Sequence, residues 1–396
     1  MGSIQRCPMS TKKDSVVVYT WAIPKGALFK IIKKEYKYLS KAIDTTIFVT
    51  SEPVPEVYEE EFREINGISL SNGTCKSKDM SFYFPGLEMS IEGGIFTSIR
   101  RAYAFLRRAN PRTILAHQLL SALIILPFSL NHRIRLVIVL HDNPFMFMEH
   151  NTKKRRGLKN LLLMNIAYQI EKITLKRSNC VICTTSHIKE SVINHIGQTE
   201  NMIVADLGID AFPRVNEKNR TILLTVSKWS RFRKPEKYLE ILKYLPEDIS
   251  LTVAGRWDSV KDLSKFVSSV NSMGLNDRVE TISELTENGL SELYNRAKVF
   301  LRLGFNETGT GLGILEAIGH GCPVVVSQGL GASEIVRDGV NGFVVNENEP
   351  KEIAQRITEI YANNALFNSM SDAAYRLAES TGWGDHFRKV LQSIKS

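Results

Sequence analysis

Residues 303–345 read LGFNETGTGLGILEAIGHGCPVVVSQGLGASEIVRDGVNGFVV, and this stretch decides the fold. A strand ends at Leu303, and a loop carrying Gly309, Gly311 and Gly313 opens a helix at Leu312. Glycines at such a turn let backbone amides approach a diphosphate, whose charge the helix N-terminus favours. The same residues serve tight turns and close packing, so the loop alone leaves both readings open. Glu316 lies four residues into the helix, where its carboxylate can accept hydrogen bonds from vicinal ribose hydroxyls. Apolar strands at 323–326 and 343–345 follow.

Working outward, the same alternation of β-branched runs and amphipathic stretches continues in both directions. Upstream, strands are expected at 222–226, 251–254 and 299–303, with helices at 235–244 and 290–297; downstream a helix covers 351–363. The first half repeats the pattern, with strands at 15–19, 46–49, 136–140 and 181–183. After the first of these, the loop Pro24-Lys25-Gly26 leads into a helix with Leu28, Ile31, Ile32, Leu39 and Ile43 on one face and lysines on the other. The run LVIVL at 136–140 has no polar alternation, as in strands buried on both faces, and delivers His141-Asp142-Asn143 at its carboxyl end. Residues 51–89 are acidic and loop-rich. Strand–helix alternation twice over, with a break near 205–214, predicts two doubly wound α/β domains with parallel sheets. The expected division is a flexible tail at 1–14, a first domain at 15–205, a second at 206–375 and a closing helical segment at 376–396 containing Trp383. Ligands in such folds bind beyond the carboxyl ends of the strands. Facing domains would therefore place Gly26, His141 and the loops after Val226 and Leu303 around one cleft.

The bulk composition agrees. The chain has 396 residues, enough for two cores, with 43% hydrophobic and 23% charged residues. No apolar run reaches the ~18 residues that a membrane span requires; the best, at 119–128, contains Pro127 and reads as a buried helix. The N-terminal segment lacks the apolar core of a signal peptide. Five scattered cysteines form no disulfide framework, and Cys180 and Cys183 fall within a buried strand instead of a metal or redox motif, which points to the cytoplasm. The net charge of +9 is uneven: residues 1–200 hold 28 Lys and Arg against 17 Asp and Glu, leaving +11, and residues 201–396 hold 23 against 25, leaving −2. The clusters Lys30, Lys33, Lys34, Lys37, Lys41 and Lys153, Lys154, Arg155, Arg156, Lys159 are solvated helix faces or sites for an anionic acceptor or membrane surface. No aromatic-plus-basic ladder accompanies them, so nucleic acid is not an expected partner.

The stretch at 303–345 resembles the signature of the retaining GT-B glycosyltransferase family 4. Gly311-Leu312-Gly313-Ile314-Leu315-Glu316-Ala317, Gly321-Cys322-Pro323-Val324-Val325-Val326-Ser327, Ser333-Glu334-Ile335-Val336 and Gly339-Val340-Asn341-Gly342 carry the resemblance. Leu207-Gly208-Ile209-Asp210 is similar to the motif opening the family's second domain, and the segment around Trp383 to its tail crossing back onto the first.

The resemblance implies a nucleotide-sugar donor, a glycan or lipid-linked acceptor, front-face transfer with retention, and no metal or other cofactor. It places Lys228 and either Lys234 or Arg233 on the donor diphosphate, together with Gly26 and the loop Thr308, Gly309, Thr310, Gly311 and Leu312. Glu316 would hold the ribose, Glu307 the sugar hydroxyls, and His141 would orient donor and acceptor. The sequence departs from the family where its first glutamate is usual: Thr308 stands there and Glu307 one place earlier. A catalytically silent sugar-nucleotide-binding subunit is the rival reading this motivates, and a sugar-nucleotide epimerase a weaker one.

Overall fold

Strands without polar alternation need cover on both faces, and the fold provides it twice. A computed structural model describes residues 15–21, 27–51, 59–70, 94–142, 158–230, 233–304, 309 and 311–396. The chain divides into two compact units, residues 1–206 with 386–396, and residues 207–385.

Unit 1 is built on seven parallel strands: β1 (Ser15–Thr20), β2 (Thr45–Thr50), β3 (Ile68–Ser69), β4 (Thr113–His117), β5 (Arg135–Leu140), β6 (Cys180–Cys183) and β7 (Met202–Val204). Their order across the sheet is β3-β2-β1-β4-β5-β6-β7. Helices α1 (Ala27–Ala42), α2 (Glu59–Glu64), α3 (Gly94–Ala109), α4 (Leu119–His132), α5 (Leu158–Arg177) and α6 (Ser186–Ile196) connect them. One face of the sheet packs Ile114, Ala116, Ile138 and Leu140 against α4 residues such as Ala122 and Ile125. The other packs Val16, Val18, Leu115 and Val137 against Phe29, Ile32 and Leu39 of α1. Val390 and Ile394 of the last helix, Gly384–Lys395, join this second cluster. Cys180 and Cys183 are buried free thiols, and burial pushes the Cys183 thiol up to about 12, so both serve as small core residues.

Unit 2 holds six parallel strands: β8 (Ile222–Val226), β9 (Leu251–Ala254), β10 (Val279–Ile282), β11 (Ala297–Arg302), β12 (Val324–Ser327) and β13 (Gly342–Val345). Their order is β10-β9-β8-β11-β12-β13. Helices α7 (Glu236–Leu242), α8 (Val260–Ser272), α9 (Glu287–Arg296), α10 (Leu312–Gly319), α11 (Pro350–Ala362) and α12 (Asn364–Ser380) cover the sheet, and α13 (Gly384–Lys395) follows. The chain rejoins unit 1 at His386.

In both sheets the winding direction reverses once, between β1 and β4 and between β8 and β11. The carboxyl ends of strands at such reversals are where doubly wound sheets leave room for a ligand.

Candidate active site

In unit 2, β8 runs out into Ser227 and Lys228. The chain must pass close to Gly255, whose φ is +113° and where a Cβ would sit 2.1 Å from the Ser227 carbonyl oxygen. Lys228 is exposed and its Nζ pairs with Asp258 Oδ1 at 3.0 Å. Lys234 sits at φ +43°, a backbone region uncommon for a side-chain-bearing residue. The Arg233 N–H donates to the Ser230 carbonyl at 3.0 Å.

On the neighbouring strand, the chain leaves β11 through Leu303 and Gly304, and the Gly304 N–H donates to Ser327 Oγ at 2.8 Å. Gly311, which brings no side chain of its own to cap the first amides, opens α10 in the left-handed region, φ +59°. Gly313 backs onto the sheet: a Cβ there would lie 3.2 Å from Tyr294 Oη, 3.3 Å from the Phe300 ring and 3.5 Å from the Val226 carbonyl oxygen. The glycine thus lets the start of α10 settle against the end of β8, two residues before Lys228.

Glu316, one turn further on, is half-buried, and Tyr294 Oη donates to its Oε2 at 3.0 Å. Burial and the adjacent Glu316 carboxylate hold the Tyr294 phenol well above its ordinary range, so it remains a donor. Buried Arg220 anchors the base of this corner by donating to the Ala297 carbonyl at 2.9 Å, the Tyr294 carbonyl at 3.2 Å and the His320 carbonyl. Gly26, Glu307, Thr308 and Thr310 lie outside the described residues.

In unit 1, β4 and β5 pair with His117 opposite Val139, so His117 and His141 emerge at adjacent strand ends. His141 Nε2 lies 3.1 Å from His117 Nδ1, and the two rings are within 15° of parallel. His117 Nε2 lies 3.3 Å from Oε2 of Glu35 on α1, a close electrostatic approach without hydrogen-bond alignment. Glu35 Oε1 accepts from His386 Nε2 at 2.7 Å, and His386 Nδ1 donates to the Ala205 carbonyl at 3.0 Å. All four side chains are buried.

Burial opposes charge on each group, and the outcome differs along the row. The His117 and His386 imidazoles hold the Glu35 carboxyl below its usual range against its burial. His386 is raised, because its bonds to Glu35 and to backbone carbonyls outweigh burial. Burial lowers His117, and burial together with the neighbouring His117 pulls His141 down to about 3. Glu35, His117 and His141 offer donor atoms within 4.8 Å of one another. However, His117 turns one nitrogen to Glu35 and the other to His141, so the donors form a row instead of converging on one point.

The glycosyl transferases group 1 model matches residues 209–377, and the glycosyltransferase family 4 model matches residues 31–211. The chain belongs to the family 4 glycosyltransferases. Its fold is GT-B: the chain superposes on HepE of Anabaena, solved with UDP, at TM-score 0.74 and 15% identity, over 96% of this chain and 99% of that one. An uncharacterised glycosyltransferase of Methanocaldococcus jannaschii is 23% identical over 66% of this chain and 68% of its own length. A D-inositol 3-phosphate glycosyltransferase of Paenarthrobacter aurescens is 25% identical over 54% of this chain; the aligned part spans 57% of that relative.

In this glycosyltransferase, Glu35, His117 and His386 are invisible as a group in the sequence, although the first two leave a trace. Glu35 falls in the buried stripe of α1 with Ile32 and Leu39, where a lone carboxylate needs a buried partner. His117 ends an apolar strand just as His141 follows one. Of the basic clusters, Lys37 and Lys41 are exposed, whereas residues 153–156 lie outside the described residues. No described helix is long and apolar enough to cross a membrane.

Proposed function

We propose that the enzyme transfers a hexosyl group from a UDP-sugar to an acceptor hydroxyl with retention at the anomeric carbon. The observation that carries this reading is the corner of unit 2 where the glycine-opened start of α10, with the Tyr294-oriented Glu316 one turn in, packs against the end of β8, two residues before Lys228. Lys228 and Lys234, with Arg233 nearby, supply positive charge for the leaving diphosphate, and the α10 amides add fixed dipoles. Glu316 accepts from the ribose hydroxyls. The base assignment leans on HepE, which has been solved with UDP and with UDP-glucose. Gly26, the loop at 308–310 and Glu307 complete the donor site in this reading, and His141 meets the sugar and the acceptor.

Bond breaking draws its charge stabilisation from lysines and backbone amides, so turnover is expected to survive EDTA. The +11 charge of residues 1–200 supports an anionic or lipid-linked acceptor, and peripheral contact with an anionic membrane face. One relative's name specifies a phosphorylated inositol. Liposome co-sedimentation that ignores anionic lipid content would remove the membrane part of the proposal.

The deciding experiment is a thermal-shift panel of UDP, GDP, ADP and their sugar conjugates on wild type and Glu316→Ala, followed by turnover with each binder. Ligand binding to the native state raises the midpoint by mass action. A UDP-specific shift lost in the variant, with sugar transfer by wild type, supports the proposal. Binding without turnover on any acceptor moves the reading to the silent subunit, and donor conversion without acceptor to an epimerase.

A further inference from the structure

Neither family resemblance nor the donor corner explains why unit 1 buries a glutamate and three histidines in one row. We infer that Glu35 and His117 are positioning residues that lock His141 in a single tautomer, proton on Nε2 and lone pair on Nδ1, so that Nδ1 serves as a fixed hydrogen-bond acceptor for a sugar hydroxyl. The inference rests on the glycosyltransferase reading only for the identity of that hydroxyl.

The proton positions follow from the partners, taken in order from the far end. His386 Nδ1 faces a carbonyl oxygen and Nε2 faces a carboxylate oxygen, both of which only accept, so both nitrogens carry protons. His386 is therefore the cation and Glu35 its anion, a buried pair of opposite charges. The second Glu35 oxygen lies 3.3 Å from His117 Nε2, close enough for charge to act although not aligned as a hydrogen bond. A ring lone pair turned to a carboxylate would repel it, so Nε2 carries the His117 proton. The Glu35 charge is already met by His386, and a second buried cation would have no counter-ion. His117 is thus neutral and its Nδ1 is a lone pair. His141 Nε2, 3.1 Å away, must then donate, which leaves Nδ1 of His141 as the acceptor. That atom is buried and has no partner among the described residues, in a side chain only 7% exposed.

The backbone supports the same conclusion. Gln118, directly after His117, holds φ +68° and ψ +153°, a region that is essentially glycine's alone, and it does so while exposed. Its N–H donates to the Val139 carbonyl at 2.9 Å, tying the end of β4 to β5 beside His141. The same residue is the N-cap of α4, so this backbone both turns the chain into the helix and holds the end of β4 beside His141.

The test is nitrogen NMR of the histidine rings together with kinetics, on the full chain. Long-range proton–nitrogen spectra of wild type should report His141 as the Nε2–H tautomer. In Glu35→Gln the amide can present either an oxygen or an N–H to His117, so the row loses its direction. His141 should then populate both tautomers. With a UDP-sugar that wild type turns over, kcat should fall at least tenfold, while the UDP dissociation constant, which reads unit 2, stays within twofold. Should Glu35→Gln fail to fold, His117→Gln gives the same readout and leaves the Glu35–His386 pair in place. Wild-type His141 protonated on Nδ1, or an unchanged tautomer and kcat in the variant, would overturn the inference. So would a stoichiometric metal ion retained by wild type and lost in His117→Gln, because a metal would occupy the lone pairs. Absence of transfer by wild type with any donor would count against the glycosyltransferase reading alone, since the tautomer is read without turnover.

Discussion

The burial of His141 makes a measurable demand on stability. In the folded chain its imidazole is pulled down to about 3 from an ordinary 6.5. Between those values the unfolded chain binds a proton that the native state refuses, so stability must fall as pH falls below 6.5. Each pH unit well inside that window is worth about 1.4 kcal/mol, so going from about pH 7.5 to about pH 5 costs ~2 kcal/mol from this one side chain. In His141→Gln that contribution disappears. Glu35, His117 and His386 remain in both proteins, so the difference between the two curves reports His141 together with its coupling to them. For a unit of this size, ~2 kcal/mol corresponds to ~4–8 °C in Tm. Scanning calorimetry of wild type and variant at the two pH values should therefore show wild type losing ~4–8 °C more on acidification. Parallel losses would refute the reasoning, because they would mean that His141 takes up a proton as freely in the folded chain as in the unfolded one.

Three further outcomes are expected. Tyr294→Phe removes the hydroxyl that orients Glu316, and loss of one such bond, about 1 kcal/mol, should weaken UDP binding ~5-fold by calorimetric titration with little change in fold. Gln118→Gly should leave Tm unchanged or raise it, whereas Gln118→Val should lower it by more than ~1 kcal/mol of stability in urea melts, because only glycine adopts that backbone without strain. Glu171 is 7% exposed, and burial raises its carboxyl to about 7 from 4.5, so it weakens the fold as pH rises from 4.5 to 7. Glu171→Gln should be the more stable protein above neutrality by up to ~3 kcal/mol, and the advantage should vanish near pH 4.5.

The legibility of this chain varies with how local the signal is. The strands at 222–226 and 251–254 agree with the structure residue for residue, and the helix opens at Leu312 as expected, because unbroken apolar runs and a glycine-opened helix are properties of short segments. Thr113–His117 is not legible in the sequence: five residues with a polar one at each end carry little periodicity, although the strand lies at the centre of its sheet. Val279–Ile282 is hidden for another reason, since it is a half-exposed edge strand with a glutamate in it. The α8 segment Val260–Ser272 gives a weak signal because only Phe266 and Val270 of it are buried, so its apolar face is thin.

The sequence by itself determined the alternation of strands and helices, the glycine-rich corner with Lys228 and Glu316, and His141 at a strand end. Those are consequences of side-chain size, backbone freedom and spacing within tens of residues. Only the tertiary structure decided the company His141 keeps. Glu35 and His386 are 351 positions apart, and the 2.7 Å bond between them exists because α1 and the last helix pack on the same face of one sheet. Pattern within a segment says that a carboxylate will be buried; which histidines neutralise it depends on which surfaces meet, and that is set by the folding of the whole unit.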